Sequence, residues 1–214
     1  MNIIPTKTPY LLKKVFSNYV WDIQKSDKTL YLTFDDGPIP EVTPFVLDTL
    51  KTYHAKATFF CIGDNIRKHP DIFKRILKEN HAIGNHTMHH LKAWKTDLDL
   101  YIRDVIACEK EIQKRTSYKS SKLFRPPYGQ ISRSKLQKIQ KLGYSVILWD
   151  VLSKDWEKKI SPEKCLHNTI SNSISGSCIV FHDSQKAFKN MKYALPKVLE
   201  HFSEKGYTFD RIAF

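Results

Sequence analysis

Short β-rich runs alternate with amphipathic helical runs along the whole chain of 214 residues, and that alternation narrows the folds open to it. Residues 29–34 (TLYLTF) form a β-rich run that stops at the loop signal Asp35-Asp36-Gly37-Pro38. Residues 41–53 read as a helix with Val42, Phe45, Val46 and Leu50 on one face. Residues 56–62 (KATFFCI) read as a buried strand, and 70–79 as a helix opened by Pro70-Asp71. Ala82 to Asn85 is a short strand that runs into His86. Residues 97–115 carry the long amphipathic helix. Lys122 to Phe124 is a strand stopped by Arg125-Pro126-Pro127, and 132–142 is a helix ended by Gly143. Strands at 144–149 and 177–181 flank a helix at 161–172. A last helix over 188–205, strained by Pro196, precedes a short tail strand.

Strand–helix alternation implies parallel strands joined by crossover helices. The expected architecture is α/β, a distorted (β/α) barrel of about seven parallel strands with surrounding helices. Functional residues of such barrels collect where strands end. The polar clusters here fall at such ends: Asp35-Asp36, His86, Arg125, Asp150 and His182-Asp183. Core packing does not account for five of them at the same end of five strands. Residues 1–28 read as an N-terminal extension packing on the barrel, and 29–214 as the catalytic domain.

A strand-end carboxylate and two histidines suit a cation. His86 and His90 stand four apart, the spacing of one helical turn, so both imidazoles can face one ion. Such a pair is weak evidence alone, since surface histidines produce it by chance. His89 and His81 are read as bystanders. Adjacent carboxylates at Asp35 and Asp36 repel unless a cation is near. A turn in which Gly37 supplies positive φ would explain Asp36-Gly37 but leaves Asp35 without a role. Two imidazoles and a carboxylate form a familiar open site for catalytic zinc, which lowers the pKa of a bound water to about 7.

At this point the chain resembles the polysaccharide deacetylase family, the NodB-homology domain, over roughly residues 29–210. Thr33 to Gly37 resembles the first motif, which implies Asp35 as catalytic base and Asp36 as metal ligand. His86-Thr87-Met88-His89-His90 is similar to the H-[ST]-x-x-H motif, which implies His86 and His90 as the other ligands. Arg125-Pro126-Pro127-Tyr128-Gly129 resembles the third motif. It implies that Arg125 pairs with Asp35 and that the Tyr128 N–H holds the oxyanion. Ile179 to Asp183 resembles the last motif, with His182 as general acid and Val180 in place of Leu at the acetyl pocket. Trp149 to Trp156 resembles the fourth motif, with a departure. Leu152 stands where many members carry the carboxylate that tunes the acid histidine, so either Asp150 or Asp183 is expected to supply it or His182 is tuned differently. Pro126, Trp149, Asp150, Trp156 and Val180 are the expected substrate contacts.

The resemblance implies a Zn2+-dependent hydrolase that removes N-linked acetyl groups from an N-acetylglucosamine-containing glycan such as peptidoglycan or chitooligosaccharide. An O-acetyl esterase on acetylated xylan and a non-catalytic carbohydrate-binding protein are the rivals. Other transition metals also suit the ligand set in vitro. Net charge is +13, which fits an anionic cell-wall or membrane surface. The charge is scattered, through Lys110 to Lys122 among other runs, so nucleic acid is not favoured. No C-x-x-C pair occurs among Cys61, Cys108, Cys165 and Cys178, and no disulfide is expected. The first residues lack a signal-peptide pattern and no apolar run reaches membrane-spanning length. A cytoplasmic location is therefore the default expectation, with cell-envelope association as the alternative. Oligomeric state is not legible.

Overall fold

The computed structural model describes residues 5–23, 27–116 and 122–214. Among the described residues eight strands form one sheet. They are β1 (Thr29–Asp35), β2 (Ala57–Cys61), β3 (Ala82–Asn85), β4 (Leu123–Phe124), β5 (Ser145–Val146), β6 (Val151–Leu152), β7 (Cys178–His182) and β8 (Thr208–Phe209). Seven follow the order β5-β4-β3-β2-β1-β7-β6, and β8 pairs with β1. Every pairing is parallel. The sheet curls into a half-barrel ringed by helices. These are α1 (Tyr10–Val15), α2 (Val42–Thr52), α3 (Gly63–Lys68), α4 (Pro70–Lys78), α5 (Leu98–Gln113), α6 (Arg133–Lys141), α7 (Pro162–Ile170) and α8 (Phe188–Glu204).

β1 lies inside the sheet, between β2 and β7, and is buried along its whole length, as expected for a parallel strand covered on both faces. Side chains alternate across a strand. Leu30, Leu32 and Phe34 join the core under α2, α4 and α8, where Phe34 lies against Phe59 and Phe181, ring centroids 5.1 and 6.1 Å apart. Tyr31 faces the other way, into a second cluster with Phe60, Leu123, Ile147 and Cys178. Thr33 and Asp35 share that inner face by the same period of two.

The run at 144–149 does not stay one strand. β5 ends at Val146, and β6 resumes at Val151 on the opposite edge of the sheet. Between them the backbone bonds to other partners. Leu148 N–H donates to Val20 O, Thr8 N–H to Asp150 O, and Leu152 N–H to Thr6 O, all at 2.8 Å. The N-terminal segment thus bridges the two sheet edges, with isolated pairings Val20–Ile147 and Lys7–Val151. Residues 1–4 and 24–26 of the expected extension, and 117–121 of the lysine-rich run, lie outside the described residues.

Two helices were not legible in the sequence pattern. α1 buries no residue, and α3 is a six-residue turn that closes on the loop after β3. Gly143, at φ 85°, follows α6 in the left-handed conformation of a helix C-terminus. The four cysteines are buried free thiols. Among the described residues no helix is long and apolar enough to cross a membrane.

Candidate active site

The sheet register brings the polar strand ends to one level. Asp35 pairs with His182 across β1–β7 and with Phe60 across β1–β2. Cys61 pairs with Asn85, and Asn85 with Phe124. His86 and Arg125 each follow their strand by one residue, so Asp35, His86, Arg125 and His182 emerge side by side. Strands about 4.8 Å apart then set their spacing.

Asp35 and Asp36 take different directions for a backbone reason. Asp35 ends β1, whereas Asp36 has φ 86°. The positive φ lies at Asp36 and not at Gly37, contrary to the simple turn reading. Gly37 answers a different need: a Cβ there would lie 1.8 Å from Asp183 Oδ2. Asp183 accepts the Gly37 N–H (3.0 Å) and the Thr43 hydroxyl (2.6 Å), so it pins the loop after β1.

Arg125 is fully buried, with all five donors used. Nη1 donates to Thr33 Oγ1 and Asp35 Oδ1, both at 2.7 Å, which the shared inner face of positions 33 and 35 permits. Nη2 donates to Leu148 O (2.8 Å) and Cys178 Sγ (3.6 Å), and Nε to Ile147 O (3.2 Å). The guanidinium also stacks 4.1 Å from the Phe60 ring centroid.

Asp36, His86 and His90 converge, one ligand atom from each lying within 4.8 Å of the others. Asp36 Oδ1 is 3.8 Å from His86 Nε2 and 3.3 Å from His90 Nε2. Those separations suit the edges of a zinc tetrahedron, about 3.4 Å for bonds near 2.1 Å. His86 Nδ1 contacts the Arg125 carbonyl at 2.7 Å, which makes Nδ1 the donor and leaves the Nε2 lone pair for an ion. Burial lowers the pKa of both imidazoles, His90 to about 4, and keeps them in the neutral, ligating form. Burial would raise the Asp36 carboxyl, but His182, His86, His90 and the Ser184 hydroxyl hold it below the usual range. The donor set fits a divalent transition metal. The two imidazoles do not meet through a helical turn, however. Residues 86–90 are a loop with positive φ at Thr87 and His90.

His182 has a carboxylate partner, and it is neither of the two expected. Asp155 Oδ1 lies 2.9 Å from His182 Nδ1, and Oδ2 accepts the His182 backbone N–H at 2.6 Å. Burial alone would lower the His182 pKa; the Asp155 charge and hydrogen bond, with Asp36 and Asp35, override it and raise it to about 9. Asp150 is buried elsewhere, against Lys7, Lys13 and the Ser177 hydroxyl. It anchors the N-terminal segment and does not line the cleft over the site.

A cleft of about 460 Å³ opens over these groups, lined by Asp35, Asp36, His86, His90 and His182 together with Tyr128, Trp149, Trp156 and Val180. Trp156 meets the His182 ring edge-on at 4.7 Å, and Tyr128 lies 4.7 Å from His90. Tyr128 has φ 61° in the 127–129 turn. Gly129 lets that turn approach the indole, since a Cβ there would stand 2.2 Å from Trp149 Cη2. Pro126 is buried and shapes the turn by accepting the Gly129 N–H; it does not line the cleft. Leu152, Gly129, Gln130, Ser184 and Lys186 also line it and were missed in the sequence. Asp155 had a signal, its place directly before Trp156. Gly129 and Leu152 stand inside the third and fourth motifs, whereas Gln130, Ser184 and Lys186 had no signal beyond nearness to motif residues.

A curled parallel sheet with a carboxylate–imidazole cluster at its strand ends defines a hydrolase built on a half-barrel. The chain belongs to the polysaccharide deacetylase family, whose profile matches residues 22–147. It is an enzyme of that class, a polysaccharide deacetylase. It is 36% identical over 191 residues to a peptidoglycan-N-acetylglucosamine deacetylase of Bacillus cereus, covering 88% of both chains. It is 32% identical to the peptidoglycan-N-acetylmuramic acid deacetylase PdaA of Bacillus subtilis, covering 87% of this chain and 70% of that one. Other curated relatives are longer, and the chain spans 38% to 64% of several. The crystal structure of the Bc1960 peptidoglycan N-acetylglucosamine deacetylase superposes with a TM-score of 0.87 at 34% identity, covering 96% of this chain and 95% of that one.

Proposed function

We propose that this enzyme removes acetyl groups from the N-acetylated sugars of peptidoglycan, N-acetylglucosamine foremost, with Asp35 as base and His182 as acid. The observation that carries the reading is the convergence of Asp36, His86 and His90 beside an arginine-held carboxylate and a carboxylate-held histidine. Zinc held by Asp36, His86 and His90 would supply a Lewis acid for the acetyl carbonyl oxygen and acidify the attacking water.

The residues divide the remaining work. Asp35 takes a proton from the water, and Arg125, bonded to Oδ1, fixes the carboxylate and leaves its second oxygen for that proton. The water oxygen attacks the acetyl carbon. The Tyr128 N–H donates to the developing oxyanion. His182, its Nδ1 engaged by Asp155, delivers a proton from Nε2 to the sugar nitrogen, and acetate leaves. An amide needs that acid because it does not expel an unprotonated amine. Trp149, Trp156 and Tyr128 offer faces for sugar rings, and Val180 an apolar wall for the acetyl methyl. Lys186 at the cleft and Lys92, 5.1 Å over the Tyr128 ring, suit a polymer bearing carboxylates. In this reading residues 29–214 are the catalytic domain and residues 1–28 an N-terminal extension, whose described residues pack on the half-barrel, and the reaction belongs at the cell envelope.

The test is acetate release from peptidoglycan, chitooligosaccharides and acetylated xylan, with and without a chelator. We expect release from the N-acetylated glycans, abolished by chelation and restored by Zn2+. Release from acetylated xylan alone would replace the reading with an O-acetyl esterase. A zinc-loaded chain inert on every glycan would leave a carbohydrate-binding protein.

A further inference from the structure

The loop that carries both histidine ligands is held in an unfavourable backbone conformation. Thr87 has φ 65° and His90 φ 56°. Residues with a Cβ, β-branched ones above all, avoid that region. They stay there only when their surroundings over-determine the conformation.

The first half of the loop is fastened from the sheet and from the start of α3. His86 N–H donates to Cys61 O (3.0 Å) and Thr87 N–H to Asn85 Oδ1 (2.9 Å). The carbonyls of Thr87 and Met88 accept Gly63 and Asp64 N–H, each at 3.0 Å. The N–H groups of Met88 and His89, which lead into His90, are held by one side chain. Asp104 Oδ2 accepts Met88 N–H (2.9 Å) and His89 N–H (3.1 Å), and Oδ1 meets His89 Nδ1 at 2.6 Å.

Asp104 is buried in the middle of α5, so it caps neither end of its own helix. No lysine or arginine pairs with it among the described residues. A buried carboxylate is costly unless hydrogen-bonded, and here every bond it makes goes to the two residues between Thr87 and His90.

We propose that Asp104, with His89 as its partner, is a positioning residue that sets His90 for metal binding. The inference rests on the assignment of Asp36, His86 and His90 as the metal site. It gives His89 a role that its exposed ring and its place outside the ligand set would not suggest.

The experiment measures zinc affinity by competition with a chromogenic chelator, alongside thermal unfolding of the zinc-free protein. Wild type is compared with Asp104→Asn, Asp104→Ala and His89→Ala. Asp97→Ala serves as a control, because Asp97 caps the start of α5 and does not touch the loop. Both Asp104 variants are expected to weaken zinc binding roughly 10- to 100-fold, as for loss of a group that orients a ligand. His89→Ala should weaken it less, Asp97→Ala not at all, and saturating zinc should restore most turnover to the Asp104 variants. Wild-type affinity in Asp104→Asn, or an equal loss in Asp97→Ala, overturns the proposal. Should the Asp104 variants not fold, His89→Ala decides, and unchanged affinity there overturns it. A wild-type chain that takes up no zinc removes the metal site itself, and this inference with it.

Discussion

Asp35 and His182 are neighbours across one strand pairing, yet their surroundings separate their tasks. The buried guanidinium of Arg125 keeps Asp35 oriented beside the cleft, while Asp155, with the Asp36 and Asp35 charges, raises the His182 pKa. Replacing Asp35 with Asn should leave zinc bound but cut turnover by at least about 10²-fold, the usual scale for a lost general base; metal content and kcat are the measurements. The sign of the pH effect follows from Asp155. His182 acts as an acid only while protonated, so activity should fall as pH rises through about 9. Asp155→Asn removes the negative charge that raises that value. The alkaline limb of the kcat profile should therefore move toward neutral pH, and a limb that stays in place would contradict the pairing. The sequence alone picked out Asp35, Asp36, His86 and His90 as site candidates, and the fold brings all four to one cleft. The sequence misassigned the partner of His182, because nearness along the chain does not say which carboxylate a loop turns back toward a ring. Asp183, adjacent to His182, turns instead to Gly37 and Thr43.

Loops between elements carry the site, and glycines decide how closely they approach. Gly37 and Gly63 lie where added carbon would strike a neighbour: Asp183 Oδ2 at 1.8 Å and Met88 Sδ at 2.5 Å. Gly37→Ala must displace the carboxylate that anchors the loop of Asp36. It should cost about 1–3 kcal/mol, the usual range for overpacking, and thermal unfolding will register it. Gly129→Ala meets the Trp149 ring at 2.2 Å in a left-handed backbone. We expect it to raise KM more than it lowers stability, because the clash falls on a cleft wall. These contacts were not legible in the sequence. A glycine in a motif announces a constraint, but only the packed neighbour tells whether φ or proximity imposes it. At Gly37 the reason is proximity; at Gly129 it is both.

At the scale of the whole molecule, the half-barrel is completed by its own N-terminus. β5 and β6 are the two sheet edges, and the segment holding Thr6, Lys7, Thr8 and Val20 bonds to the chain between and beside them. Lys7 and Lys13 both reach the buried carboxylate of Asp150. Truncating residues 1–16 should strand that charge and lower stability by about 1–3 kcal/mol, less than for a fully buried pair because both lysines are partly exposed. Unfolding should then begin at lower temperature by roughly 2–4 °C per kcal/mol. An unchanged midpoint would mean that the segment contributes nothing to closure.

The alternation of short apolar strands with amphipathic helices was enough to set parallel pairing, because hydrophobic period and turn residues are local properties. The same locality fixed the strand ends, and with them the level at which Asp35, His86, Arg125 and His182 emerge. Tertiary structure alone decided the split of the 144–149 run into β5 and β6, the anchoring of Asp150 by the N-terminal lysines, and the pairing of His182 with Asp155. Each depends on contacts between segments distant along the chain, or on a loop reversal that no periodic pattern records.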